Sequence, residues 1–230
     1  MSAACPHGLC DGSGFIEDIE TNTASPCRCR PQRISRARAR SLSAVLPRRF
    51  QGVSFDRAPV VDMEPAVVRE VRRYVDDIEA QLDDGRGLWF MGDVGTGKTT
   101  LAMLVSKSAL DAGRSVAIYS LPRLLAEIRK TYDERSDRSY LELLERLTEV
   151  DLLHVDDLGA EKTSEWVLEQ LYAIINARYE DRRALVVTTN LDHDELRAQI
   201  TPRTVSRLVE ICGDPLPLYG HDRRVDLRSA

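Results

Sequence analysis

The chain alternates short apolar runs with longer amphipathic stretches. Over residues 64–82 the apolar positions Val67, Val68, Val71, Val75, Ile78 and Leu82 recur at helical spacing. They predict one helix, stopped by Asp83-Asp84-Gly85. Residues 88–91 read as a buried strand, and 99–112 as the following helix, ended at Gly113. A second strand is predicted over 116–119, then helices over 122–131 and 140–147 around a polar break at 133–137. A third strand covers 150–155. A long helix covers 164–179, with Trp166, Leu168, Leu171, Ile174 and Ile175 facing inward. A fourth strand at 184–187 and two short helices at 193–199 and 202–209 complete the pattern. Strands alternating with helices predict an α/β fold, a parallel sheet flanked by helices.

Composition sets the frame for this pattern. The chain has 230 residues, 43% hydrophobic and 30% charged, which suits one globular domain with an appendage. No apolar run approaches the roughly 18 residues of a membrane span. Met1 to Cys10 lacks the charged-then-apolar signal architecture. A cytoplasmic location with reduced cysteines and no membrane partner is expected. The net charge of −5 does not advertise nucleic-acid binding, so its distribution matters more than its sum.

The first strand runs into Gly92-Asp93-Val94-Gly95-Thr96-Gly97-Lys98-Thr99-Thr100, which has P-loop spacing. Glycines let backbone N–H groups approach phosphate oxygens, and the helix starting near Lys98 adds its positive end to the same anion site. Lys98 is expected to reach the β- and γ-phosphates of ATP, and the Thr99 hydroxyl to ligate Mg²⁺. A glycine turn used only for packing explains neither Lys98-Thr99 nor the full spacing.

Two other strand ends carry polar groups, where open α/β sheets bind ligands. Asp156-Asp157 follows Leu152-Leu153-His154-Val155, a Walker B pattern. Asp156 is expected at the Mg²⁺, and Asp157 where a carboxylate orients or deprotonates the attacking water. Asn190 follows the fourth strand, where an amide both donates and accepts and can position that water. Arg203 and Arg207 lie one turn apart, and Arg223 and Arg224 follow Gly220-His221-Asp222. An arginine can act across a subunit boundary on a neighbour's γ-phosphate, or sense its own nucleotide; surface charge is the plainer reading.

Residues 1–30 differ from the rest, holding four of the five cysteines. His7-Gly8-Leu9-Cys10-Asp11-Gly12-Ser13-Gly14 resembles a zinc knuckle with histidine in the first position, and Cys27-Arg28-Cys29 supplies a second pair. The expected Zn²⁺ ligands are His7, Cys10, Cys27 and Cys29, with Cys5 as the alternative to His7; a disordered tail with free thiols is the plainer reading. Cys212 reads as a buried small apolar residue. Between Thr21 and Phe55 there is no acidic residue, and eight arginines fall there: Arg28, Arg30, Arg33, Arg36, Arg38, Arg40, Arg48 and Arg49. This strip suits nucleic-acid phosphate or an acidic partner, and equally a solvated linker. Phe50 and Phe55 are expected near the adenine pocket. The division expected is a zinc-binding module at 1–30, a basic linker at 31–55 and an ATPase domain at 56–230.

Taken together, Gly92–Thr100, 151–163 with its Asp156-Asp157-Leu158-Gly159-Ala160-Glu161-Lys162 run, Asn176-Ala177-Arg178-Tyr179, Thr188-Thr189-Asn190 and Arg203-Thr204-Val205-Ser206-Arg207-Leu208 resemble one family over about residues 45–225. It is the AAA+ ATPases of the DnaC/DnaI helicase-loader type, which share their ATPase module with IstB transposition helpers. The resemblance implies an ATP-dependent homo-oligomer that places a replicative, DnaB-type hexameric helicase on single-stranded DNA. It implies Asn190 as first sensor, Arg207 as arginine finger with Arg203 as the alternative, and Arg224 as second sensor with Arg223 as the alternative. The segment 1–30 sits where a loader grips its helicase, and the pair 121–148, with Arg123, Arg129, Lys130, Arg135 and Arg138, where a DNA channel is lined. Two departures stand out. Asp157 replaces a common glutamate, which implies slow or partner-dependent hydrolysis, and the C-terminal lid is truncated. A transposition helper on duplex DNA and an adaptor with a vestigial ATPase are the other readings.

Overall fold

Two short polar strands come first. β1 (Phe15–Asp18) and β2 (Thr23–Pro26) form an antiparallel hairpin whose side chains are almost all exposed. These and all later elements belong to a computed structural model that describes residues 5–18, 21–30, 46–132 and 139–222.

The main sheet is parallel and has the order β4-β5-β6-β3-β7. Its strands are β3 (Leu88–Gly92), β4 (Val116–Ser120), β5 (Leu152–Asp156), β6 (Ala184–Thr189) and β7 (Leu216–Leu218). Its central strands are buried on both faces, and their side chains divide by the period of two. Leu88, Phe90, Leu152, Ala184 and Val186 enter one core, while Trp89, Leu153, Val155, Leu185 and Val187 enter the other.

The first core is closed by α1 (Pro65–Asp76), α2 (Ile78–Asp83) and α3 (Lys98–Asp111). The second is closed by α4 (Leu121–Lys130), α5 (Tyr140–Glu149), α6 (Glu165–Glu180), α7 (His193–Ile200) and α8 (Pro202–Cys212). Capping boxes start two of them: Ser139 with Glu142 opens α5, and Asp192 with Glu195 opens α7.

The pattern-based helix at 64–82 is two helices. The chain breaks at Asp77, where φ is −116° and ψ 30°, and the Asp77 side chain accepts from Gln81 Nε2 at 3.5 Å. Strand β7 goes unforeseen because Pro217 reads as a breaker. It pairs only with β3, at the sheet edge, where a missing N–H faces outward. Cys212 is buried as expected: its Sγ donates to the Leu185 carbonyl at 3.3 Å, and burial pushes its thiol pKa up. Among the described residues no helix is long and apolar enough to cross a membrane.

Candidate nucleotide site

The site begins where β3 ends. Thr96 Oγ1 donates to the Asp93 carbonyl at 2.9 Å and folds the loop back before α3 starts. Gly97 caps α3 at φ 104°, and a Cβ there would lie 2.1 Å from Met63 Cε. Only glycine gives both that backbone angle and that clearance. Lys98, 5% exposed, donates to the carbonyls of Gly92 at 2.8 Å and Asp93 at 2.5 Å. The loop is tied to the sheet edge, because Asp93 N–H donates to the Leu218 carbonyl at 3.1 Å and Asp93 Oδ2 accepts from Gly220 N–H at 3.0 Å.

The second strand end meets the first. Thr99 Oγ1 donates to Asp156 Oδ1 at 2.9 Å, although 57 residues separate them. Thr188, at the end of β6, donates through Oγ1 to Asp156 Oδ1 at 2.6 Å and accepts from Asp157 N–H at 2.9 Å. One hydroxyl therefore bridges both aspartates. Asp157 has a left-handed φ of 57°, which turns the chain sharply at the strand end. Beneath Asp156 lies His154, fully buried, with Nε2 3.9 Å from Asp156 Oδ1 and Nδ1 2.9 Å from Ser106 Oγ. Ser106 spends its one proton on the Ala102 carbonyl at 2.9 Å, so Nδ1 carries the hydrogen in that contact. Burial alone would raise the Asp156 pKa; the adjoining His154 ring, then the hydrogen bonds from Thr188 and Thr99, outweigh it and hold the carboxyl below the usual carboxylate range.

These groups face a cavity of about 300 Å³ lined by Gly95, Gly97, Lys98, Thr99, Thr100, Asp156, Asp157 and Asn190, with Arg49, Phe50 and Pro59 as the remaining wall. A lysine, helix-terminal amides and a hydroxyl–carboxylate pair suit a polyphosphate and a hard divalent cation such as Mg²⁺. Of the predicted loop residues, Val94 is exposed and does not line the cavity; Phe50, expected near the adenine pocket, does line it. Phe55 does not: it packs on the α1 side of the sheet, with the Arg72 guanidinium 4.3 Å from its ring centroid. Thr188, His154 and Arg49 are additions. A hydroxyl two residues before Asn190 was the one sequence signal for Thr188; the other two fit no motif.

The candidate arginines fall elsewhere. Arg203 and Arg207 sit on α8 and do not line the cavity. Arg223 and Arg224 lie outside the described residues, as do Arg33, Arg36, Arg38, Arg40, Arg135 and Arg138.

The N-terminal ligand set needs a correction. The Sγ atoms of Cys5, Cys10, Cys27 and Cys29 lie within 4.8 Å of one another, with Cys5–Cys27 at 3.7 Å and Cys10–Cys29 at 3.6 Å, whereas His7 is exposed and outside the cluster. Four sulfurs around zinc at a Zn–S length of about 2.3 Å stand about 3.8 Å apart, so the cluster fits Zn²⁺. The Gly8 turn, at φ 61°, carries His7 outward while the backbone curls over Cys5. Burial alone would raise the Cys5 pKa; backbone hydrogen bonds from Leu9, His7 and Cys10 outweigh it and bring the thiol down to about 6. Cys29 goes the other way, pushed up to about 12 by burial and its thiol neighbours. A divalent cation resolves that conflict by stabilising every thiolate together.

Comparison with known proteins follows the same lines. The replicative helicase loader DnaC of Buchnera aphidicola subsp. Acyrthosiphon pisum is 24% identical over 160 residues, 69% of this chain and 64% of that protein. The chain thus spans less than two thirds of that curated relative. The crystal structure of the DnaC helicase loader superposes with a TM-score of 0.63 at 24% identity, covering 76% of this chain and 100% of that one. A replication initiator DnaA bound to AMPPCP and single-stranded DNA gives 0.64 at 17% identity, covering 81% and 56%. Both likenesses concern the fold alone. The sequence profile described as IstB-like ATP binding protein matches residues 33–208, and the chain belongs to that family.

Proposed function

We propose that this chain is an ATPase that delivers a replicative hexameric helicase onto single-stranded DNA. The observation that carries the ATPase part is the meeting of Thr99 and Asp156 at 2.9 Å beside Lys98, with Asp157 and Asn190 on the same cavity. Lys98 would bind the β- and γ-phosphates, and Thr99 and Asp156 would hold Mg²⁺, which would supply positive charge against the phosphates. Asp157 takes a proton from the attacking water, and Asn190 orients that water. Arg207 acts on the nucleotide of a second copy, so ATP drives homo-oligomer formation; Arg224 senses the chain's own nucleotide.

The DNA part is supported by an aromatic and basic cluster between α4, α5 and α6. Tyr132, 57% exposed, stacks on Tyr140 at 6.1 Å and meets Trp166 edge-on at 6.4 Å. The Arg129 guanidinium lies 4.9 Å from the Trp166 ring centroid. One exposed and two half-buried rings beside a guanidinium suit unpaired bases, each stacked base contributing about 1–3 kcal/mol. Arg123 and Lys130 add positive charge on α4. Residues 1–30 act as the zinc module that grips the helicase, 31–55 as a linker, and 56–230 as the ATPase domain.

The family's description, an IstB-like ATP binding protein, fits one competitor as well: the transposition helper on duplex DNA. One experiment separates them: co-purification of the wild-type chain with a DnaB-type helicase, with and without residues 1–45, beside ATP turnover on single-stranded and duplex DNA. The proposal expects helicase capture that needs residues 1–45, turnover stimulated by single strands, and loss of both ATP binding and turnover in Lys98→Ala. Stimulation by duplex alone without helicase capture selects the transposition helper.

A further inference from the structure

Two arginines of α8 rest on two tyrosines of α6. Arg203 Cζ lies 4.5 Å from the Tyr172 ring centroid, and Arg207 Cζ lies 3.9 Å from that of Tyr179. The helices run in the same direction here, so the pairs form a short ladder along one face. The two rungs are not equivalent. Arg203 is exposed, whereas the Arg207 side chain is 28% exposed and its Nη1 donates to Glu210 Oε1 at 2.8 Å. Arg207 Nε is buried and has no hydrogen-bond partner among the described residues.

The base under Tyr179 is rigid. Its neighbour Arg178 is fully buried and donates to the carbonyls of Leu147, Val150 and Ala184 at 2.5, 3.1 and 2.5 Å. That fork ties the last turn of α6 to the end of α5 and the start of β6. Tyr179 therefore presents its ring from a fixed backbone. A guanidinium held face-on against a ring keeps its N–H edge directed outward, the geometry in which arginine forks onto phosphate oxygens. Glu210 fixes rotation by holding one nitrogen, and other donors stay available.

We propose that Tyr179 is the positioning residue for Arg207, holding its guanidinium ready to enter the nucleotide site of a second copy. The Arg178-Tyr179 pair then has a divided role: Arg178 anchors the helix end, and Tyr179 aims the arginine. This inference rests on the reading of Arg207 as an arginine supplied in trans.

The test compares wild type with Arg207→Ala, Arg203→Ala, Tyr179→Leu and Tyr179→Phe. Each full chain is assayed for kcat and KM of ATP turnover with single-stranded DNA and helicase, for ATP binding, and for melting temperature. Arg207→Ala is expected to lose turnover and keep ATP binding. Tyr179→Leu, which keeps bulk without a π face, is expected to lower kcat about fivefold with KM within twofold, and Tyr179→Phe to restore it. Arg203→Ala tests the alternative finger: loss of turnover there beside an active Arg207→Ala moves the trans role to Arg203 and overturns the proposal. Where Tyr179→Leu melts well below wild type, Tyr179→Met replaces it with the same expectation. Wild-type kcat in the aliphatic variant beside an inactive Arg207→Ala overturns the positioning role and leaves the trans arginine standing. A Tyr179→Phe variant as slow as Tyr179→Leu also overturns it, because the hydroxyl and not the ring would then matter. Full turnover in Arg207→Ala removes the trans reading of Arg207 itself.

Discussion

Single residues at the strand ends show how little slack the site has. Asp157 is held at φ 57° by its N–H on Thr188 Oγ1, and Asn tolerates that left-handed angle as well as Asp does. Asp157→Asn is therefore isosteric, keeps the turn and removes only the basic oxygen. Turnover is expected to fall by about 10²–10⁴, the usual worth of a positioned general base, with ATP affinity within twofold. Single-turnover hydrolysis beside equilibrium binding of a fluorescent ATP analogue checks this; a matching loss of affinity would make Asp157 a binding group instead. The pair Asp156-Asp157 is readable from sequence because it stands in order with the P-loop and Asn190; alone, an aspartate at a strand end often only caps a turn. The role of Thr188 is less readable: its place in Thr188-Thr189-Asn190 marks the strand end, but not the hydroxyl that bridges both aspartates. His7 against Cys5 is undecidable in the same sense: either side chain ligates zinc, and only the path of the backbone around Gly8 chooses between them.

Elements were legible where burial dictated their pattern. Strands β3 to β6 are apolar runs because helices cover both faces, and α1, α4 and α6 carry their stripes openly. Strand β7 and the β1–β2 hairpin were not, since an edge strand with proline and an exposed polar hairpin obey no hydrophobic period. What fastens elements together was also hidden. Asp151 sits just before β5 and accepts from Ser115 N–H at 2.9 Å and Ser115 Oγ at 2.7 Å, just before β4, with Arg114 at 3.3 Å and Arg183 at 3.7 Å. Burial alone would raise its pKa, but Ser115, then Arg114 and Arg183, hold the carboxyl below its ordinary value. A depressed carboxylate pKa stabilises the fold above the unfolded value of about 3.9, and that stability disappears as pH falls through the lower folded value. Asp151→Asn is expected to cost about 2 kcal/mol at pH 7, because charge-assisted bonds become neutral ones. The gap from wild type should begin to shrink as pH falls below about 4, where the unfolded chain takes up the proton, and close below the lower folded value, where the native carboxyl is neutral too. Urea unfolding at pH 7 and pH 3 measures both, and a gap that widens in acid would contradict the assignment.

At the scale of the whole molecule, the two ends of the chain are stabilised by different physics. The sheet domain has apolar cores on both faces, whereas the buried cluster described in residues 5–30 is made of cysteines, with Cys10 packed against Cys5, Cys27 and Cys29. A hairpin of exposed side chains cannot offset its chain entropy by burial, so its order is expected to come from the sulfur cluster and a Zn²⁺ ion bound there. Purified protein is therefore expected to carry one Zn²⁺ per chain. Cys5→Ser should lose it and His7→Ala should keep it. Chelation at pH 7 is expected to expose residues 5–30 to protease while the melting transition of the sheet domain stays put, since Val60, Phe90, Trp89 and Leu153 are buried without reference to any metal. Elemental analysis and timed proteolysis read the two effects separately. Metal-free protein that resists protease in this segment would mean that the thiols pack as a small apolar core. Helicase capture would then persist under chelation, whereas a zinc-held module loses capture and ATP binding survives.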